Sequence, residues 1–478
     1  MASGDLSYLQ HTRNQTGTRS DLTPSLLDLL SNTLVLYQTA PYLPVSALLS
    51  LAATSRSFQH LIYDTPGVFR HLDLSQVKTA QFDIDGIDHG GQVWRNVQVD
   101  EHVTEDDFYS GPLRGIFSNL RRRNILQDVN TLILDGLSVT SEFINDILVD
   151  PSSRVRVLSI REVKNLNERK LMQALRYACR STRSEDMPRL KALYCFGSKD
   201  TAPPPVPESS TQTTVSNGAN ISVGWNHKSQ NALKDSIENE GDDWYSCKGR
   251  MISKRIAEGW AETLLDCRGV LHFDAVLCTS PHHRNSPVFG KIPAPTAGPN
   301  SPNPWGVATF ALNGCASCGT APEGFTVYGD SCPADLPLLS PIGLHSSGVK
   351  AATCPTGATR AGGQRQRFIP RCLECIRERY CFSCNQWWCE ACYQIPTAEE
   401  LAGQVSAIHI VDEASDLIEH EIAALEQPKV KCPKITRSCW ECDRNCVDCI
   451  AETQKLCKGC GGGYCIIHHE GSTMTLCD

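Results

Sequence analysis

The stretch Cys372-Leu-Glu-Cys375-Ile-Arg-Glu-Arg-Tyr-Cys381-Phe-Ser-Cys384-Asn-Gln-Trp-Trp-Cys389-Glu-Ala-Cys392 packs Cys-x-x-Cys pairs end to end. A two-residue spacer lets both sulfurs of one tight turn reach a single ion, and two such pairs close a tetrahedral thiolate site. The run needs one more pair, and Cys315-x2-Cys318 upstream supplies it. A second unit follows: Cys439-x2-Cys442-x3-Cys446-x2-Cys449-x7-Cys457-x2-Cys460-x4-Cys465-x2-His468. Two pairs per ion predict two ions in each unit, so about four structural zinc ions in the chain.

Spacing alone does not say which pairs share an ion, and two schemes fit. In a cross-brace, Cys439, Cys442, Cys457 and Cys460 hold one ion and Cys446, Cys449, Cys465 and His468 the other. In a sequential scheme, neighbouring pairs share. The cross-brace spreads each ion over more chain and so orders more of it, and we favour it. Applied upstream, it joins Cys315 and Cys318 to Cys381 and Cys384, and Cys372 and Cys375 to Cys389 and Cys392. His469 is an alternative to His468. The segments Cys381–Cys392 and Cys457–His468 share the form Cys-x2-Cys-x4-Cys-x2-ligand, with an aromatic residue before the third ligand (Trp388, Tyr464). Sites this rich in thiolate and already full lack the open position that catalytic zinc keeps, so the expectation is no enzyme. The chain has no P-loop, no Gly-x-Ser-x-Gly and no His-Glu-x-x-His.

Composition limits the rest. The chain has 478 residues, 24 cysteines and a net charge of −8, and only five cysteines precede Cys315. Those five, Cys179, Cys195, Cys247, Cys267 and Cys278, read as small buried hydrophobes. Cys332, Cys354, Cys432 and Cys477 are left without a pair. A mildly acidic chain does not point to nucleic acid, and Arg121-Arg122-Arg123 reads as a solvated helix face. Met1 to Gln10 has no apolar signal core and no apolar run is long enough to cross a bilayer. The expected compartment is therefore cytoplasmic or nuclear, where paired thiols hold metal and do not form disulfides.

The length predicts a multidomain α+β chain. Residues 1–20 read as a disordered tail and 21–72 as three short helices: Ser25 to Tyr37, Val45 to Ala53 and Ser55 to Tyr63. A repeat follows. Phe69-x-x-Leu72-x-Leu74 recurs as Val129-x-x-Leu132-x-Leu134, Val155-x-x-Leu158-x-Ile160 and Leu190-x-x-Leu193-x-Cys195, with helical patterns at Ser141 to Leu148 and Leu166 to Cys179 between copies. Strand–helix alternation at this period suggests a leucine-rich-repeat-like α/β region over 73–199. Residues 200–243 read as a flexible insertion. The α/β region continues over 244–278, with a helix from Met251 to Leu265 and a strand from His272 to Cys278. Residues 279–305 read as a linker. The first zinc unit spans 306–396 and is loose over 333–370. A helical connector spans 397–430, and the second zinc unit 431–478.

Leu48 to Ala53, then Ser55-Arg56-Ser57-Phe58, then Asp64-Thr65-Pro66-Gly67-Val68-Phe69 resemble the second half of an F-box. The usual opening Leu-Pro-x-Glu is replaced by Thr23-Pro24-Ser25-Leu26, without the acid. The chain also resembles F-box-like proteins of filamentous fungi. Glu378-Arg379-Tyr380-Cys381, Trp387-Trp388-Cys389-Glu390, Cys439-Trp440-Glu441-Cys442 and Gly461-Gly462-Gly463-Tyr464-Cys465 carry that likeness. The resemblance implies a non-enzymatic substrate receptor of a Skp–cullin ubiquitin ligase. Leu43, Pro44, Leu48, Leu49, Leu51 and Phe58 would contact a Skp-type adaptor, and the repeats and zinc units would hold a protein substrate. The other function considered is a zinc-stabilised interaction scaffold. A ubiquitin ligase whose zinc units recruit a conjugating enzyme is a third.

Overall fold

The computed structural model describes residues 25–81, 105–184, 186–199, 252, 255–291, 304–339, 349–353, 367–393, 435–437, 442–456 and 463–465. The disordered tail, the flexible insertion and the helical connector expected from sequence lie outside them. The chain divides into two units, 1–70 and 71–478.

The first unit has four helices among its described residues: α1 (Leu26–Ser31), α2 (Thr33–Thr39), α3 (Val45–Thr54) and α4 (Arg56–Asp64). The single helix expected from Ser25 to Tyr37 is broken at Asn32, whose ψ of 112° is extended. Its side-chain oxygen accepts from the Leu34 amide and starts α2 (3.0 Å). Polar side chains that bond the backbone locally compete with helix interior geometry, so Asn32 ends one helix and caps the next. Ser25 and Asp28 form a capping box on α1, and Ser55 caps α4 through the Phe58 amide. Leu30, Leu36, Ala40, Leu48, Ala52, Ile62, Val68 and Phe69 are buried in this unit.

The second unit opens with five short parallel strands in strict chain order: β1 (His71–Asp73), β2 (Thr131–Ile133), β3 (Val157–Ser159), β4 (Ala192–Tyr194) and β5 (His272–Phe273). β1 begins at His71, so the boundary with the helical unit falls two residues before the expected 72. Parallel neighbours need helical crossovers, and α5 (Glu105–Arg122), α6 (Ser141–Val149), α7 (Glu168–Ala178) and α8 (Trp260–Asp266) occupy the connections. The helix expected from Met251 is shorter. It starts at Trp260, after Gly259 at φ +98°, a backbone conformation that only glycine adopts without strain. The register lines up Leu72, Leu132, Leu158, Leu193 and Phe273. All five are at most 4% exposed, so one apolar column runs across the sheet. The strand expected from His272 to Cys278 pairs over only two residues, and Phe273 stacks edge-on against Trp260 and Phe196.

Side chains alternate between faces along a strand, so Val157, Ala192 and Tyr194 lie on the other face. That face is covered by the chain itself: Leu338, Ala352 and Val349 pack on those three residues. The Leu338 amide donates to Phe273 O (2.8 Å) and extends the edge of β5. Residues 333–370, expected to be loose, thus include a buried run at Leu336, Leu338 and Leu339, the short helix α9 (Val349–Ala352) and the strand β8 (Arg367–Arg371). β8 is the centre of a three-stranded antiparallel sheet between β6 (Phe310–Leu312) and β7 (Thr326–Val327). Small elements complete the described part: α10 (Leu373–Ile376), β9 (Ile435–Thr436), β10 (Asn445–Cys446), α11 (Val447–Thr453), β11 (Gln454–Leu456) and β12 (Gly463–Cys465). Arg121 pairs with Asp150 and Arg122 with Asn119, on an exposed helix end.

Candidate metal centres

Three groups of four ligands converge in the second unit: Cys278, His283, Cys372 and Cys375; Cys315, Cys318, Cys389 and Cys392; and Cys381, Cys384, Cys446 and Cys449. Within each group all ligand atoms lie within 4.8 Å of one another. A tetrahedral ion with metal–sulfur bonds of about 2.3 Å sets its sulfurs about 3.8 Å apart. The measured contacts bracket that value. Cys384 Sγ is 3.8 Å from Cys446 Sγ and Cys318 Sγ is 3.9 Å from Cys389 Sγ. In the first group Cys372 and Cys375 sulfurs are 3.3 Å apart, and His283 Nε2 is 3.2 Å from each.

Local backbone geometry makes each half-site. Cys315 and Cys381 open matching hairpins. Cys315 N donates to Thr320 O and Gly319 N to Cys315 O (3.0 and 2.7 Å). Cys381 N donates to Gln386 O and Asn385 N to Cys381 O (both 2.8 Å). The residue after the second cysteine must turn left-handed, and it is Gly319 in one (φ +66°) and Asn385 in the other (φ +58°), the residue types that tolerate this. The other geometry is a helix start. Cys372 caps α10 and Cys446 caps α11, each with its partner cysteine inside the first turn.

The ligands pair differently from either sequence scheme. Cys315 and Cys318 meet Cys389 and Cys392, not Cys381 and Cys384. Cys381 and Cys384 reach forward to Cys446 and Cys449 in what was expected to be a separate unit. Cys372 and Cys375 turn back to Cys278 and His283. The physical reason is the sheet. β8 delivers Cys372 beside the chain leaving β5, where the Cys278 amide donates to Gly306 O (2.7 Å) and the Cys372 amide to Cys278 Sγ (3.2 Å). Segment Cys372–Cys392 therefore contributes half of every described centre and is a hub for three arms. Cys442 and Cys465, assigned to different ions in the cross-brace, have sulfurs 3.5 Å apart. Cys439, Cys457, Cys460 and His468 lie outside the described residues.

Two ligands were not expected. Cys278 was read as a small buried hydrophobe, and His283 fell in the stretch read as a linker. The usable signal was a cysteine closing an apolar strand, with a histidine five residues on. His283 is 3% exposed and Ser280 is fully buried, so residues 280–283, at the start of the expected linker, are packed structure. Gly306 belongs to this centre too: a Cβ there would sit 2.6 Å from His283 Nε2 and 3.2 Å from Cys372 Sγ.

The thiols and imidazole of each centre shift one another. Hydrogen bonds from Cys278 and then Cys372 hold the Cys375 thiol far below its ordinary value, while Cys278 and Cys375 push Cys372 well above. Burial alone would lower His283, but bonds to Cys278 and Cys375 outweigh it and raise the imidazole to about 11. Cys318, held by the Thr320 hydroxyl (2.9 Å) and then the Thr320 amide, is lowered to about 6. Burial raises Cys384 to about 11. Such crowded groups can all ionise together only around a positive ion. A buried ionic web joins the first two centres. Glu323 takes both Arg379 nitrogens (2.8 and 2.9 Å) and the Glu390 amide (2.7 Å). Burial pushes the Glu323 carboxyl up, but Arg379 prevails and its value is lowered. Trp387 and Trp388 are 1% and 8% exposed and pack in the core beside Cys381 and Cys389.

The chain matches no protein-family model, no curated protein and no solved structure. The site must therefore be read on its chemistry.

Of the residues expected at an adaptor surface, Leu48 is 1% exposed and belongs to the core of the helical unit. Leu43, Leu49, Leu51 and Phe58 are half-buried and Pro44 is exposed. The exposed apolar side chains of this unit are Leu26, Leu29, Leu34, Tyr37 and Tyr42, at 43–73%. No helix among the described residues is long and apolar enough to cross a membrane.

Proposed function

We propose that this chain is a non-enzymatic, zinc-stabilised recognition subunit, similar to an F-box protein with a short leucine-rich-repeat-like body. The observation that carries the structural role of the metal is saturation: each described centre supplies four protein ligands, three sulfurs and a nitrogen in one and four sulfurs in the others. Soft tetrahedral sets of this kind suit zinc and leave no position for substrate. The five-strand parallel sheet in chain order supports the repeat reading.

In this proposal the helical unit docks a Skp-type adaptor of a cullin ubiquitin ligase through Leu26, Leu29, Leu34, Tyr37 and Tyr42. An apolar set this exposed is costly unless something covers it. The substrate would meet the remaining surface of the second unit, because Leu338 and Ala352 fill the sheet face that a solenoid commonly offers. The test is co-purification of the full chain with a Skp adaptor, beside a Leu29→Asp, Leu34→Asp variant. A stable complex that the variant loses, with helicity and metal content unchanged, is the expected result.

One observation favours a second reading. Leu48 serves the unit's own core, as a self-contained helical module would require. If the folded chain binds no Skp adaptor, it is a zinc-stabilised interaction scaffold with other partners.

A further inference from the structure

Two buried sulfurs stand outside the three complete ligand sets. Cys442 and Cys465 are each 3% exposed, belong to none of those sets, and bring their Sγ atoms to 3.5 Å. Both are free cysteines. Their spacing falls inside the 3.3–3.9 Å found between ligand sulfurs in the complete centres. Local structure brings them together around α11. Cys442 precedes the Cys446 cap of that helix, and the pairing of β11 with β12 sets Cys465 opposite Gln454, directly after it.

The complete centres show what each sulfur brings with it. All five Cys-x2-Cys pairs that are fully described have both members in one centre. A two-residue spacer lets two ligands of one turn reach one ion. At that spacing Cys442 has Cys439, and Cys465 has His468. Contact between Cys442 and Cys465 therefore joins two half-sites into three sulfurs and a nitrogen, the donor set already present at His283. Neither sequence scheme gives this set. The cross-brace puts Cys442 and Cys465 on different ions, and the sequential scheme joins Cys442 to Cys446, which serves Cys381 and Cys384 instead.

We propose that Cys442 and Cys465 share a fourth zinc ion, whose other ligands are Cys439 and His468, both outside the described residues. The proposal rests on the zinc-stabilised reading above and leaves Cys457 and Cys460 out of this centre. Native mass spectrometry of the full chain, purified with zinc, counts ions per folded molecule. The expected count is four: the three described centres and this one. Cys442→Ser and Cys465→Ser should each hold three, and the double variant still three. Cys457→Ser with Cys460→Ser should keep four. A count of three in the unaltered chain, a fourth ion that survives the double variant, or its loss from the Cys457→Ser, Cys460→Ser protein would each overturn the proposal. A count of three leaves the zinc-stabilised reading standing, whereas a count of zero ends both. If a serine variant fails to fold, His468→Cys keeps a ligand and tests the same centre. With cobalt in place of zinc, it should keep four ions and gain the charge-transfer absorption of one more thiolate; unchanged thiolate absorption would overturn the assignment.

Discussion

The two halves of the second unit are built on opposite principles. From β1 to β5, each strand contacts its chain neighbours, and one apolar column from Leu72 to Phe273 holds them together. Beyond Cys278, the half-sites that meet in each candidate metal centre stand 62 to 94 residues apart in the chain. An ion bound in each cluster would add coordination to the packing of the short elements there. In one half packing runs between neighbouring strands of the repeat; in the other, distant half-sites converge on shared centres.

The sharpest way to break this comparison is to remove metal. Structural zinc contributes about 10–16 kcal/mol in isolated finger peptides at neutral pH. A strong chelator should abolish the near-ultraviolet signal of Trp387 and Trp388 while most helical signal from α5 to α8 persists. Retention of both signals after full metal loss would show that coordination is not what holds the second half.

Pairing is tested next by counting ions. Cys381→Ser and Cys446→Ser should each lose one metal per chain, and the double variant still only one, because they share a centre. Cys381→Ser with Cys315→Ser should lose two. The cross-brace predicts the reverse ranking, so elemental analysis of four proteins decides between them.

Smaller effects belong to the packed half. Leu158→Ala, in the fully buried column, should cost about 3 kcal/mol in urea unfolding and leave metal content unchanged. Asp274→Asn should cost about 2 kcal/mol. Its buried carboxylate accepts from the Cys195, Phe196 and Gly197 amides (2.7–3.1 Å), and an amide cannot accept at both ends. A loss of metal in either variant would mean the halves are less separate than their construction suggests.

The smallest effect lies outside both, in the helical unit. The Ser25 hydroxyl, then the Ser25 amide, hold Asp28 below the ordinary carboxylate value. A lowered folded value means that this contribution is present above about pH 4 and fades as pH falls through the folded value. Ser25→Ala should therefore lower helix stability slightly at neutral pH and flatten its acid dependence below pH 4. An unchanged acid profile would remove the capping box from the account.

What the sequence made legible follows the same division. The repeat phrases around Leu72, Leu132, Leu158 and Leu193 mark four strands because neighbour-to-neighbour packing writes itself into local periodicity. The fifth strand was harder: a long insertion separates it from β4, and only two of its residues pair. The Cys-x-x-Cys pairs were legible as half-sites, since a tight turn is a local object. Their partners were not, because a tertiary fold decides which half-sites meet. Cys278 and His283 escaped for that reason, standing 94 and 89 residues before Cys372. Gly306 carries no motif; its need is visible only once His283 is placed against it.

The hub has a consequence for the order in which the protein is made. Cys278 and His283, then Cys315 and Cys318, leave the ribosome well before Cys372–Cys392, so they wait as incomplete thiol pairs. Arrival of the hub closes two centres backwards, over spans of 94 and 74 residues that interlace. The third half-site, Cys381 and Cys384, then waits in turn for Cys446 and Cys449, 62 residues further on. A chain stopped near residue 393 would carry two complete ligand sets and one open thiol pair.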